Sequence, residues 1–166
     1  MCLGLSSIKF ALDTNYAMAI IAIGFAAILD TLDGRVARLI KGTSKVGKEL
    51  DSLTDVISFG VAPSFIMYFW ALNEIGKFGW MFVLIYTVCC ALRLARFNLT
   101  TIEENESWKI NFFEGVPSPA AAGLVLLPLL LNLSGLIQFQ NYAVLSSIAI
   151  LTTSTLMVSK IPTYSL

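Results

Sequence analysis

Four aspartates in two pairs are the residues of this 166-residue chain best placed to do chemistry: Asp30 and Asp33 stand three apart, Asp51 and Asp55 four apart. On an α-helix either spacing puts both carboxylates on one face, one turn from each other. If the two stretches are neighbouring helices joined by the short segment between them, all four side chains meet. Clustered carboxylates repel, and each aspartate inside a membrane helix costs about 2.5–3.5 kcal/mol on insertion scales, so something positive must compensate. Arg35, Arg38 and the nearby lysines supply part of it. All-oxygen ligands suit Mg²⁺ or Mn²⁺ better than zinc, and two such ions could share the four carboxylates. The blander alternative is simple pairing with arginine and lysine at a membrane surface.

The neighbouring residues extend the pattern. Gly34 follows Asp33 directly and Gly47 sits one turn before Asp51, so at both places a bulky group such as a nucleotide could reach the backbone. Arg38 offers a bidentate donor for phosphate, and Ser44 a hydroxyl donor from the connecting loop. There is no histidine, which excludes histidine triads and histidine-ligated metals and leaves proton transfer near neutral pH to a carboxylate, lysine, tyrosine, cysteine or water. Cys2, Cys89 and Cys90 lie in apolar stretches without metal or redox spacing, and read as packing residues.

The elements that must hold these groups are written in the charge distribution. Of 22 charged residues, ten fall between Asp30 and Asp55 and seven between Arg93 and Glu114, while Gly115 to Ser159 carries none. With 57% apolar residues, 13% charged, zero net charge and a mean hydropathy of +0.78, the chain is neither disordered nor a polybasic nucleic-acid binder. Apolar runs of roughly 20 residues predict membrane-spanning helices. They fall at about 17–39, 49–71, 78–98, 117–134 and 141–159, with a sixth at about 1–11. The expected fold is an all-α integral membrane protein, a single domain over 1–166 built as a six-helix transmembrane bundle whose first helix is truncated at its start.

Basic residues alternate between connections: Arg38, Lys41, Lys45 and Lys48 in one, a lone lysine in the next, then Arg93, Arg96 and Lys109, then none, then Lys160. The positive-inside rule therefore puts 38–48, 98–116 and the C-terminal segment in the cytoplasm, so both charged clusters share one side of the membrane.

Taken together, Asp30, Asp33, Gly34, Ala37, Arg38, Gly47, Asp51 and Asp55 spell D-x2-D-G-x2-A-R-x8-G-x3-D-x3-D at every fixed position. This resembles the CDP-alcohol phosphotransferase family, membrane enzymes that move a phosphate-linked alcohol from a cytidine diphosphate carrier onto a second alcohol. The resemblance implies that Asp30 and Asp51 bridge two divalent ions, Mg²⁺ or Mn²⁺, that Asp33 and Asp55 complete one site each, and that Asp55 also deprotonates the acceptor hydroxyl. It further implies that Gly34, Arg38 and Ser44 contact the CDP group, that the protein is a homodimer, and that the active site faces the cytoplasm. The chain opens past the Asn-x-x-Thr-type stretch that members carry at the start of their first span.

Three further segments, Asp51 to Pro63, Arg93 to Asn98 and Phe112 to Gly123, are similar to the phosphatidylserine synthase branch. The implied donor is CDP-diacylglycerol and the implied acceptor L-serine, giving phosphatidylserine and CMP. Arg93 and Arg96 could then bind serine's carboxylate or a lipid phosphate, and Glu114 could face its ammonium; the alternative is that they only set topology and solvation. Two other readings stay open: glycerol 3-phosphate or an inositol phosphate as acceptor, and an ion-coupled transporter, since intramembrane carboxylates often mark ion paths.

Overall fold

Apolar runs bounded by Asn, Gly and Pro become helices, and the places where those breakers fall decide how the helices join. A computed structural model describes residues 1–40, 45–103, 112–114, 116–135, 141–159 and 162–164. In chain order the elements are α1 (Cys2–Leu12), α2 (Tyr16–Ile40), α3 (Lys45–Asp55), a π-helical turn (Val56–Val61), α4 (Ala62–Trp70), a 3-10 turn (Leu72–Ile75), α5 (Lys77–Glu103), β1 (Phe112–Glu114), α6 (Ser118–Leu133), α7 (Tyr142–Val158) and β2 (Pro162–Tyr164). Because α3, the π turn and α4 run on without interruption, the described residues form six helical rods.

The expected all-α class holds, with two refinements. The rod expected at about 49–71 starts at Lys45 and changes pitch in its middle, and α5 runs on to Glu103. The segment after α5 contributes three residues, Phe112 to Glu114, that pair antiparallel with Pro162 to Tyr164. Among the described residues, three helices are long and apolar enough to cross a membrane, at Tyr16–Gly34, Glu49–Trp70 and Lys77–Arg96. At 16 and 17 residues, α6 and α7 fall about a turn short of the usual 20.

The distribution of side chains is that of a bundle packed for lipid. On α2 the inward stripe is Ala19, Ala22, Ile23 and Ala26, at helical spacing, while Met18, Ile21, Phe25, Ile28 and Leu32 point outward and are exposed. Inside, small and hydroxyl-bearing residues dominate the contacts: Ala62, Ala71, Ala121, Ala122, Ser7, Ser64, Ser118, Ser146 and Ser154 are all buried. Small residues let backbones approach closely where no hydrophobic force drives helices together, which is the packing rule of membrane bundles. The buried hydroxyls of α7 bond back to their own helix, Ser146 to Tyr142 O at 2.7 Å and Ser154 to Ile150 O at 2.7 Å, so neither is left unpaired inside the bundle.

Contacts sort the rods into two ends. At one end, the Tyr16 hydroxyl donates to Phe69 O at 3.2 Å, Trp70 stacks on Tyr142 at 5.2 Å, and Trp80 meets both Phe65 and Tyr68 edge-on at 5.7 and 5.6 Å. Such a ring of Trp and Tyr suits a membrane interface. At the other end lie the aspartate pairs, Arg93, Arg96 and the start of α6. The β1–β2 pairing joins the segment after α5 to the one after α7, so these two connections share a side, as the alternation of basic residues requires.

The π turn has a local cause. Pro63 has no N–H, so the carbonyl of Phe59, four residues earlier, loses its α-helical partner. The hydroxyl of Tyr86 on α5 donates to that carbonyl at 3.1 Å, in a fully buried setting. Beside this bond, Thr87 Oγ1, next along α5, lies 3.3 Å from Oγ of Ser64, which follows Pro63. Close approach also needs Gly60: a Cβ there would stand 3.1 Å from Cys90 Sγ.

Candidate active site

Asp30 and Asp33 end up on the last described turns of α2 whose side chains are placed, and Asp51 and Asp55 on the last two turns of α3. Asp30, Asp33 and Asp51 share a cavity of about 400 Å³, lined also by Gly47, Thr54 and Ser58 and walled by Leu29, Leu50 and Phe59. Asp51 lies close enough to Asp30 and Asp33 for their charges to bear on it. Asp55 comes into hydrogen-bonding contact with Asp30 across the two helices. The two sequence pairs therefore do converge.

Two carboxylates in contact repel unless a proton or a cation lies between them. Among the described residues no three acidic, cysteine or histidine side chains are grouped tightly enough to hold one metal ion as they stand. The donor set nonetheless fits a hard cation. Asp55 Oδ1 is buried without a hydrogen-bond partner, and the acidic groups around it offer only oxygen ligands.

Arg93, on α5, faces this cluster. Its charge bears on Asp55, its Nη1 donates to Ser118 Oγ at 2.8 Å, and its Nε is buried without a partner. Arg96, one turn on, goes elsewhere: its Nη1 donates to Val158 O at 3.4 Å, at the end of α7, where carbonyls lack intrahelical donors and the helix dipole is negative. Of the two arginines that sequence grouped together, one thus bonds to the start of α6 and the other to the end of α7.

Gly34 is exposed, and a Cβ added to it would meet nothing within 4 Å, so the fold itself does not require glycine there. Gly47 lines the cavity. Arg38 lies on α2 with its side chain outside the described residues, and Ser44 falls outside them altogether. Glu114 sits on β1 opposite Pro162, its side chain likewise outside the description. Sequence reasoning missed Ser118 and Tyr86. No spacing signal links Ser118 to Arg93, whereas Tyr86 lies seven residues before Arg93, on the same face of one helix.

The CDP-alcohol phosphatidyltransferase family profile matches residues 1–158. A Mycobacterium leprae protein named CDP-diacylglycerol–serine O-phosphatidyltransferase is 42% identical over 163 residues, 98% of this chain and 54% of the relative. Proteins of the same name from Helicobacter pylori and Bacillus subtilis are 48% identical over 130 residues and 36% identical over 158. These alignments cover 78% and 95% of this chain, and 53% and 81% of the relatives. The chain thus spans about half the length of the mycobacterial and Helicobacter relatives.

Proposed function

The chain belongs to the CDP-alcohol phosphatidyltransferase family, and on that premise we propose that it is a multi-pass membrane enzyme transferring the phosphatidyl group of CDP-diacylglycerol to L-serine at the cytoplasmic face. The observation that carries the reading is Asp55, a half-buried carboxylate with an unpartnered oxygen, in hydrogen-bonding contact with Asp30 and within reach of the Arg93 charge. The names of the relatives support the choice of donor and acceptor.

Asp30, Asp33, Asp51 and Asp55 would hold two divalent ions, Mg²⁺ or Mn²⁺, which when bound neutralise the diphosphate and the negative charge that develops on the departing CMP. The chain's own residues do the rest. Asp55 takes the proton from the acceptor hydroxyl as its oxygen bonds to the phosphatidyl phosphorus; the bond from that phosphorus to the bridging oxygen breaks and its electron pair leaves with CMP. The buried Oδ1, kept from water, is a base whose lone pair is not already spent on another donor. Arg93, with an unpaired Nε–H beside Asp55, binds the acceptor's carboxylate and orients its hydroxyl toward that base. Gly34 and Gly47 leave room for the nucleotide, with Arg38 and Ser44 as its polar contacts.

The test is CMP release from membranes containing the protein, CDP-diacylglycerol and Mn²⁺ with L-serine, glycerol 3-phosphate or an inositol phosphate. Release that needs serine, stops on chelation and is lost in Asp55→Asn is the expected result. Equal release with Asp55→Asn, or a preference for a phosphorylated acceptor, overturns it.

A further inference from the structure

Three groups along one face of α5 meet the α3–α4 rod. Tyr86 meets Phe59, Cys90 meets Gly60, and Arg93, the last of the series, faces Asp55. Tyr86, Cys90 and Arg93 are spaced by four and three residues, so a shift or rotation of α5 at Tyr86 is carried undiminished to Arg93 along a stiff helix. The level at Cys90 is a van der Waals contact against a glycine and resists approach but not sliding. The directional tie at the base of this face is the hydroxyl of Tyr86 on the Phe59 carbonyl, the acceptor that Pro63 leaves without its α-helical donor.

We infer that Tyr86 is a positioning residue for the acceptor site: by donating to the Phe59 carbonyl it sets the register of α5 against the π turn, and so holds Arg93 opposite Asp55. The inference rests on the proposed role of Arg93 in binding the acceptor's carboxylate. Tyr86 touches no substrate. Its ring is fully buried, and the replaceable part is the hydroxyl alone.

The experiment measures KM for L-serine and for CDP-diacylglycerol, kcat and thermal unfolding in the full chain for Tyr86→Phe, for 4-aminophenylalanine at position 86, and for Arg93→Gln. Tyr86→Phe is expected to raise the serine KM about fivefold to tenfold, the scale of one ordinary hydrogen bond, with the CDP-diacylglycerol KM within twofold of the parent. The 4-amino variant, which restores a donor at the same place, is expected to bring the serine KM back toward the parent value. A merely structural hydroxyl would instead lower the amount of active protein and leave both KM values alone, and that result overturns the inference. If Tyr86→Phe does not fold, the 4-amino variant, a weaker donor, decides: a serine KM raised above the parent with the CDP-diacylglycerol KM unchanged upholds the assignment, and parental values of both sink it. Arg93→Gln separates the two claims. If it leaves the serine KM unchanged, the role of Arg93 fails; if it raises that KM while Tyr86→Phe does not, only the role of Tyr86 fails.

Discussion

Arg93 Nη1 donates to Ser118 Oγ at 2.8 Å, tying the charged end of α5 to the first turn of α6, although 25 residues separate the two in the chain. The bond matters because Arg93 already has a buried Nε without a partner. A half-buried guanidinium with one donor fixed and another free is oriented but still able to receive an anion.

Ser118→Ala removes the fixed partner. The cost of leaving a buried donor unpaired is about 1–3 kcal/mol, part of which relaxation of the guanidinium recovers. We expect a lower unfolding temperature and a raised serine KM, with Ser118→Thr restoring both because it keeps the hydroxyl. Parental serine kinetics in the alanine variant would show that Ser118 plays no part in placing Arg93.

Gly34→Ala should separate stability from activity. The site is exposed, helical and open to at least 4 Å around the absent Cβ, so alanine is expected to stabilise by roughly 0.5–1 kcal/mol through the lost flexibility of glycine. If the space belongs to the nucleotide, the same methyl raises the KM for CDP-diacylglycerol. Thermal unfolding in detergent and substrate kinetics read the two effects independently, and an unfolding temperature that rises with no change in KM removes Gly34 from the donor site.

Asp30→Asn tests the cation-binding role without relying on turnover. Asp30 and Asp55 are in hydrogen-bonding contact, so the substitution removes like-charge repulsion from the metal-free protein. In chelator, Asp30→Asn is expected to unfold at a higher temperature than the parent. Adding Mn²⁺ should stabilise the parent by RT ln(1 + [L]/Kd) and the variant much less. An identical Mn²⁺ response in both proteins would exclude Asp30 as a ligand.

Much of this was legible in the residues themselves. Hydropathy and helical periodicity are properties of short windows, and so the rods at Tyr16–Ile40, Ser118–Leu133 and Tyr142–Val158 fall within a residue of their expected bounds. The pairing of Asp30 with Asp33 and of Asp51 with Asp55 follows from 3.6 residues per turn alone, and the short separation of the two helices in sequence already suggested that the pairs would meet. Tertiary structure decided what depends on how rods cross. Arg93 and Arg96 are three apart and alike in sequence, yet one turns to Asp55 and Ser118 at the start of α6 while the other donates to the end of α7, because three residues along a helix turn a side chain toward a different neighbouring rod. The π turn after Asp55, the Tyr86 hydroxyl on the Phe59 carbonyl and the pairing of Phe112–Glu114 with Pro162–Tyr164 join residues 27 or more positions apart or answer to a missing proline N–H. No local pattern announces such contacts: they exist only once the register between helices is set.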